Sequence, residues 1–480
     1  MPANKITFLA VLIIIFSAAC VYLNSLSGDF VWDDCLLIRD NDSINSWNIK
    51  SIFFADRNTL SPGMYVSYRP LESLSYLFSY KLWQLNPGGY HFVSLVLHIL
   101  VGVFIFLFVG LVFSDYLLSF LAALFFVVHP AHTESVSYIS ARAEPLAFLF
   151  ILLSFIFYLS CRKRNSAFVY AGIFILSSLA FLSKESALIL PVLVILWHLV
   201  FKESIKPIKI LLMFLAGAIF IFIRQKATGS FLPSGTSLAV VLERIPGFFS
   251  AFSGYIRILF FPKDLHMEYG IAHFSILSYE ALLGLAEFIF LIFIMYKYRW
   301  NKIIFFCLGW FMCALIPVAN IIPFNATYYM AEHWLYVPSL GFFILLAYCI
   351  CRLKTNYRIL ALSAALIVFC VSAYLTFKQN TYWKDEIFFY NTTLKYNPQS
   401  ARVWYNLGNS YSSRDDYKNA VQAYQQAIRL KPDYTQACYN LALVYYWQKE
   451  FSLAKKYFLE AKKLGHLGRI DSLLQGYKAK

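Results

Sequence analysis

The first 380 residues of this chain are divided by recurring apolar runs, most of them about 17–22 residues long. A helix of that length crosses the hydrocarbon core of a bilayer. Backbone polar groups in lipid must be satisfied within the chain, so runs like these fold as a helical bundle. Composition agrees: 60% of the 480 residues are hydrophobic and 14% are charged, where a soluble domain carries roughly a quarter. The chain reads as an all-α, polytopic membrane protein. Runs near 6–23, 91–113, 116–133, 145–161, 167–182, 186–201, 208–223, 280–296, 303–322, 336–351 and 358–377 mark about eleven transmembrane helices. Residues 224–280 are ambiguous. Their apolar stretch, GFFSAFSGYIRILFFP, is interrupted by Gly and Arg and rich in aromatics, which predicts an interfacial or re-entrant piece.

The formal net charge of +15 is topological and carries no nucleic-acid signal. Short basic loops, RKR at 162–164, the 202–209 segment, KYRWNK at 297–302 and residues 352–358, fall on one side of the expected bundle. The positive-inside rule makes that side cytoplasmic. An odd number of crossings then leaves the C-terminal end outside. Most of the nine cysteines lie inside apolar runs, so they form neither a disulfide framework nor a metal-ligand spacing. The first run is expected to remain as an uncleaved signal-anchor.

From Ala401 the chain turns polar, and two blocks align at a period of about 34 residues, that of tetratricopeptide repeats. The first, 401–434, carries Trp404, Leu407, Gly408, Tyr411, Ala420, Tyr424, Ala427 and Pro432. The second, 435–468, places Cys438, Leu441, Ala442, Tyr445, Ala454, Phe458 and Ala461 in register. The stretch WKDEIFFYNTTLKYNP reads as the second helix of a partial repeat, and 468–480 as a capping helix. This divides the chain into a membrane domain, 1–380, and an extracytoplasmic repeat domain, 381–480. The repeats serve either as a structural cap or as a groove for a protein partner.

Four polar segments belong to the outer face in this topology. GDFVWDD (28–34) supplies Asp33 and Asp34, and SYRPL supplies Arg69. HPAHTESVSYISARAEPL supplies His129, His132, Glu134, Arg142 and Glu144; SKES supplies Lys184 and Glu185; and AEHWLYVPSLG supplies Glu332, His333 and Tyr336. Each has a plain structural reading: His129-Pro130 ends a helix, and Lys184 with Glu185 forms a local ion pair. The histidines match no standard zinc spacing, so no metal is expected. Together, ionisable groups at the mouths of several spans point to function. A carboxylate can take the proton of an attacking hydroxyl. Cations can stabilise charge growing on a departing phosphate. That mixture suits group transfer from an anionic lipid carrier.

The order of these motifs, followed by the repeats, resembles the transmembrane and tetratricopeptide repeat-containing O-mannosyltransferases. Their bacterial relatives in the GT-C glycosyltransferase superfamily share the pattern. The resemblance implies an inverting transferase that moves a sugar from a polyprenyl-phosphate donor to a hydroxyl acceptor, protein Ser/Thr or another glycan. It implies a GT-C-like transmembrane domain facing the ER lumen or periplasm. Asp33 or Asp34 becomes the catalytic base, with Arg69, Arg142, Lys184 and His333 as cations for the donor phosphate. His129, His132, Glu134, Glu144, Glu185, Glu332 and Tyr336 become supporting polar groups. Animal members often carry Arg where this chain has His333. The short repeat array and the Ile/Lys/Phe-rich composition favour a bacterial inner membrane, with the ER as the alternative. A non-catalytic membrane-anchored adaptor and a transporter or flippase are the competing functions; the latter would place ionisable groups near mid-span. No resident cofactor is expected.

Overall fold

A computed structural model describes residues 3–45, 49–53, 68–229, 237–270, 275–319, 321, 329–353 and 355–465. The expected capping helix at 468–480 and the last residues of the second repeat lie outside the described residues. Every α-helix, 3-10 turn and π-turn aside, no other regular element occurs among the described residues. They fall into two compact units: Met1–Leu265 with Ile271–Thr381, and His266–Gly270 with Tyr382–Lys480.

The helices of the first unit that matter below are α1 (Ala3–Tyr22), α2 (Pro70–Trp83), α3 (Pro87–Phe113), α4 (Tyr116–Val128), α5 (Ala143–Ser160) and α6 (Ala167–Ser183). They continue as α7 (Leu190–Phe201), α8 (Pro207–Thr228), α9 (Ile245–Phe260), α10 (Tyr279–Lys297), α11 (Lys302–Leu315), α12 (Ser339–Cys351) and α13 (Thr355–Asn380). Their starts follow local chemistry. Proline opens α2, α3 and α8, where a missing N–H costs nothing. Asp115, Ser166 and Asn301 cap α4, α6 and α11 by accepting from the free amides of the first turn. Helix α3 packs on α1, α4 and α5; α4 also packs on α12, and α11 lies against α7 and α12. At Gly341 a Cβ would meet the Cys307 carbonyl at 2.3 Å, so α11 and α12 touch through their backbones.

Among the described residues six segments are long and apolar enough to cross a membrane, and a seventh if the bent pair Tyr116–Val128 with Pro130–Ser137 is one span. The remaining four expected crossings correspond to the shorter helices Ala167–Ser183, Glu185–Phe201, Lys302–Val318 and Ser339–Cys351. By length and composition, six or seven candidate crossings stand among the described residues, where the apolar runs predict about eleven. Within the ambiguous segment, Phe248, Phe249 and Phe252 of α9 pack on Phe288, halfway along α10. The other end of α9 reaches the polar turns, where the Leu259 carbonyl meets His129 Nε2 at 3.2 Å.

The second unit contains α14 (Glu386–Tyr396), α15 (Ala401–Ser412), α16 (Tyr417–Leu430), α17 (Thr435–Trp447) and α18 (Phe451–Lys463). Asp385, Ser400 and Asp416 cap α14, α15 and α16. The repeat positions form its core: Ala420, Tyr424, Cys438, Leu441, Ala442, Tyr445, Ala454, Phe458 and Ala461 are buried together. Gly408 is required by close approach, since a Cβ there would stand 2.6 Å from the Tyr424 ring. Glu268 joins this unit by accepting from Arg402 Nη2 (2.6 Å) and Ser400 Oγ (3.3 Å).

Candidate functional site

Pro130 breaks the bent span between α4 and Pro130–Ser137, turning the chain by 59°. Proline lacks an amide hydrogen and pushes His129 into the extended region (φ −80°, ψ 133°). The break leaves the last carbonyls of α4 without their usual i+4 partners, in a setting where water is scarce. Side chains supply them. His132 Nδ1 meets the Phe126 carbonyl at 2.8 Å, His98 Nε2 meets that of Val127 at 3.1 Å, and Thr376 Oγ1 donates to that of Val128 at 2.7 Å.

These partners also fix the ring tautomers. A nitrogen facing a carbonyl carries the proton, so His98 donates through Nε2 and accepts at Nδ1 from the Tyr336 hydroxyl (2.6 Å). His129 donates to the Leu259 carbonyl and accepts the Ala131 amide at Nδ1 (3.3 Å). His132 Nε2 meets Ser339 Oγ at 3.0 Å. All three rings are buried. His129, His132 and Tyr336 hold the broken span together, and their donors and acceptors are committed. His98 and Thr376 belong to the same lattice although no motif marked them. A histidine inside an apolar run was the available signal for the first.

The two acids of GDFVWDD have different surroundings. Trp32 adopts φ +54°, a left-handed conformation that costs a bulky residue about 1–3 kcal/mol, and it turns the next two side chains apart. Asp34 is fully buried. Its Oδ2 accepts the Val31 amide (3.1 Å), and its Oδ1 accepts the Ser140 amide (2.7 Å) and hydroxyl (2.5 Å). Burial pushes its carboxyl up to about 7, partly offset by the hydrogen bonds from Ser140 and Val31. Asp34 therefore fastens the first loop to the Ile139–Ala141 turn. Asp33 is exposed. Behind them Phe30, Cys35, Ile38, Ile44 and Ile52 pack with Tyr76, Leu77, Tyr90 and Ile139 in a small core that anchors the loop.

The four expected cations are held in different ways. Arg142 is buried beneath α2 and α3; it donates to Ser94, Ser75, Ser79 and the Tyr90 carbonyl at 2.8–3.3 Å. Its guanidinium also lies 4.8 Å from the centre of the Tyr76 ring. Arg69 makes a two-pronged pair with Glu185 (2.9 and 3.1 Å) and lies 3.9 Å from Glu72. Glu72 is a buried acid outside every motif; it accepts from the Tyr76 hydroxyl (2.9 Å) and the Ala143 amide (3.2 Å). Burial raises its carboxyl's affinity for a proton, and Arg69 opposes this. Lys184 pairs closely with Glu144, both nearly inaccessible. His333 has a 13% exposed side chain. Its amide and its Nδ1 bind the two oxygens of buried Glu134, at 2.8 and 2.7 Å.

The structure thus brings Lys184, Glu144, Glu134 and His333 together around the Glu332–Leu335 turn. A narrow cleft there, with room for about one water molecule (about 10 Å³), is lined by Glu144, Ser186, Ile189, Trp334 and Pro338 among others. Glu332 is buried in the same turn. Arg69 with Glu185, more exposed than the Lys184 pair, ties the start of α2 to the Glu185–Ile189 turn, and buried Arg142 ties α2 to α3. Among the described residues no group of three or more His, Cys, Asp or Glu converges as metal ligands. Around this cleft stand a lysine and a carboxylate-held imidazole, groups whose chemistry suits binding an anion.

Comparisons with known proteins bear on both units. The family model described as the tetratricopeptide repeat matches residues 401–434. A Caenorhabditis elegans protein O-mannosyl-transferase is 31% identical over 88% of this chain and 63% of its own length. Protein O-mannosyl-transferases of Mus musculus and Homo sapiens are 28% and 26% identical over 92% and 93% of this chain, and 53% and 54% of their own. The chain therefore spans between about half and two-thirds of the length of these relatives. The resemblance read from the motif order holds: the chain is similar, along most of its length, to the transmembrane and tetratricopeptide repeat-containing O-mannosyltransferases.

Proposed function

We propose that this chain is a membrane glycosyltransferase that moves a sugar, with inversion, from a polyprenyl-phosphate carrier to a hydroxyl acceptor on the extracytoplasmic side. The observation that carries this reading is the contrast within the acidic pair: Asp34 is locked to Ser140, and Asp33 is held exposed on a strained turn beside it. Asp33 acts as the general base that takes the proton of the acceptor hydroxyl as its oxygen attacks the anomeric carbon. The sugar–phosphate C–O bond breaks, and its electron pair leaves with the phosphate on the opposite face. Lys184 and His333 bind that phosphate, with the Glu144 carboxylate giving way to it at Lys184. Arg69, Arg142 and Glu185 act as positioning residues, together with Asp34 and the buried histidines.

The names of the relatives favour mannose as the sugar and protein Ser/Thr as the acceptor, and the repeats would present such an acceptor or a partner protein. The membrane would be the bacterial inner membrane with the site on its periplasmic face. The test uses purified chain in liposomes with polyprenyl-phosphate mannose, other polyprenyl-phosphate hexoses, and Ser/Thr peptides or glycans. Donor consumption with a labelled acceptor supports the reading. No consumption of any lipid-linked sugar would leave the membrane-anchored adaptor in its place.

A further inference from the structure

The geometry points to Glu134 and His333 as a working pair in which the carboxylate aims the imidazole and His333 Nε2 delivers a proton to the departing phosphate; this rests on the transferase reading. Glu134 is buried, and its two oxygens hold the His333 ring and the His333 backbone together. A carboxylate that grips both the amide and the ring of one histidine fixes its rotation as well as its tautomer. The proton must sit on Nδ1, between ring and carboxylate, which turns Nε2 away from Glu134. Nε2 has no hydrogen-bond partner among the described residues, and the imidazole is the part of the pair that reaches solvent. The neighbouring Trp334 lines the cleft that Glu144 also lines, so this turn faces the Lys184 pair.

The charged and titratable groups around His333 are consistent with this role. Glu134 comes from Thr133–Ser137, Glu332 from its own turn, and Lys184 with Glu144 from the facing helices. His129 and His132 approach from Pro130–His132, held by the carbonyls of Leu259 and Phe126. Tyr255 approaches from α9, where its hydroxyl accepts the Ala331 amide at 3.4 Å. In the transfer, the acceptor loses its proton to Asp33, the anomeric C–O bond breaks, and the imidazolium Nε2–H passes to a phosphate oxygen. The enzyme returns to its starting state when the proton on Asp33 is exchanged through water for one on His333.

Two measurements on the full-length protein in detergent test the pair. The first is the pH dependence of sugar transfer. Wild type should slow at alkaline pH; His333→Gln should lose about tenfold or more in kcat together with that alkaline limb. His333→Arg should keep donor affinity but lose the limb, and Glu134→Gln should move the limb to lower pH. The second is binding of farnesyl phosphate, followed by tryptophan fluorescence. It should be at least tenfold tighter at pH 6 than at pH 8 in wild type and nearly pH-independent in His333→Gln. Transfer with an alkaline limb unchanged in His333→Gln would overturn the pair and leave the transferase reading intact. Absence of transfer with His333-dependent, pH-dependent phosphate binding would overturn the transferase reading and keep the imidazole as the phosphate's partner. Binding that ignores both pH and His333 would overturn the pair.

Discussion

The break at 129–142 and the rim around it use the same residue types, His, Asp, Arg and Glu, and hold them in opposite ways. In the break, His98, His129 and His132 meet backbone carbonyls, Asp34 meets amides, and Arg142 meets three serines and a carbonyl. On the rim, Asp33 is exposed and His333 keeps one nitrogen toward solvent. A span interrupted by proline leaves backbone groups unpaired in lipid, and nearby polar side chains are drawn in to satisfy them. Polar residues in a membrane protein thus divide into those that repair the backbone and those that keep an edge toward solvent.

Substitutions in the break should therefore cost stability. The largest loss is expected for Arg142→Met, which strips the partners from Ser75, Ser79, Ser94 and the Tyr90 carbonyl and leaves a methionine in a polar cavity. A loss of about 3–5 kcal/mol is expected, seen as a large fall in Tm. An unchanged Tm with weakened donor binding would move Arg142 to the rim class. Next comes the pH dependence at Asp34. Its carboxyl binds a proton more tightly in the folded chain (about 7) than in the unfolded one (about 3.9). The stability it contributes is fully present below about pH 4 and is lost as pH rises toward 7. Asp34→Asn should remove that slope from the Tm–pH profile; an unaltered slope would assign it to other groups. The smallest effect is expected at Gly28, where a Cβ would stand 2.8 Å from His91 Nε2 and 3.1 Å from the Ser25 carbonyl. Gly28→Ala should cost about 1–3 kcal/mol while the remaining activity keeps its pH profile. A neutral outcome would show that the ring of His91 moves aside.

Much of this was legible from spacing. Apolar runs located the helices, the 34-residue period located the repeat core, and Pro130 located the bend. These are local or periodic signals, and the backbone obeys them wherever neighbours pack. The partners of polar groups were not legible in the same way. Nothing in GDFVWDD says which acid turns inward, because Trp32's left-handed backbone and the arrival of Ser140 from a distant turn decide it. Arg142 resembles a phosphate ligand until α2 and α3 surround it with serines. Glu72 and His98 belong to no motif, and they matter because of which helices meet. The number of crossings is less legible for a related reason: the apolar runs at 167–182, 186–201, 303–322 and 336–351 become helices too short for length alone to establish a crossing.

The division between break and rim is tested most directly by the rate of sugar transfer by Asp33→Asn, with its Tm measured on the same preparation. The substitution keeps size and removes the charge of an exposed acid. A rate lower by about 10²–10⁴-fold and a Tm within error of wild type are expected. Near-normal turnover at an unchanged Tm would contradict that division, and would place the base elsewhere among the acids of this end of the bundle.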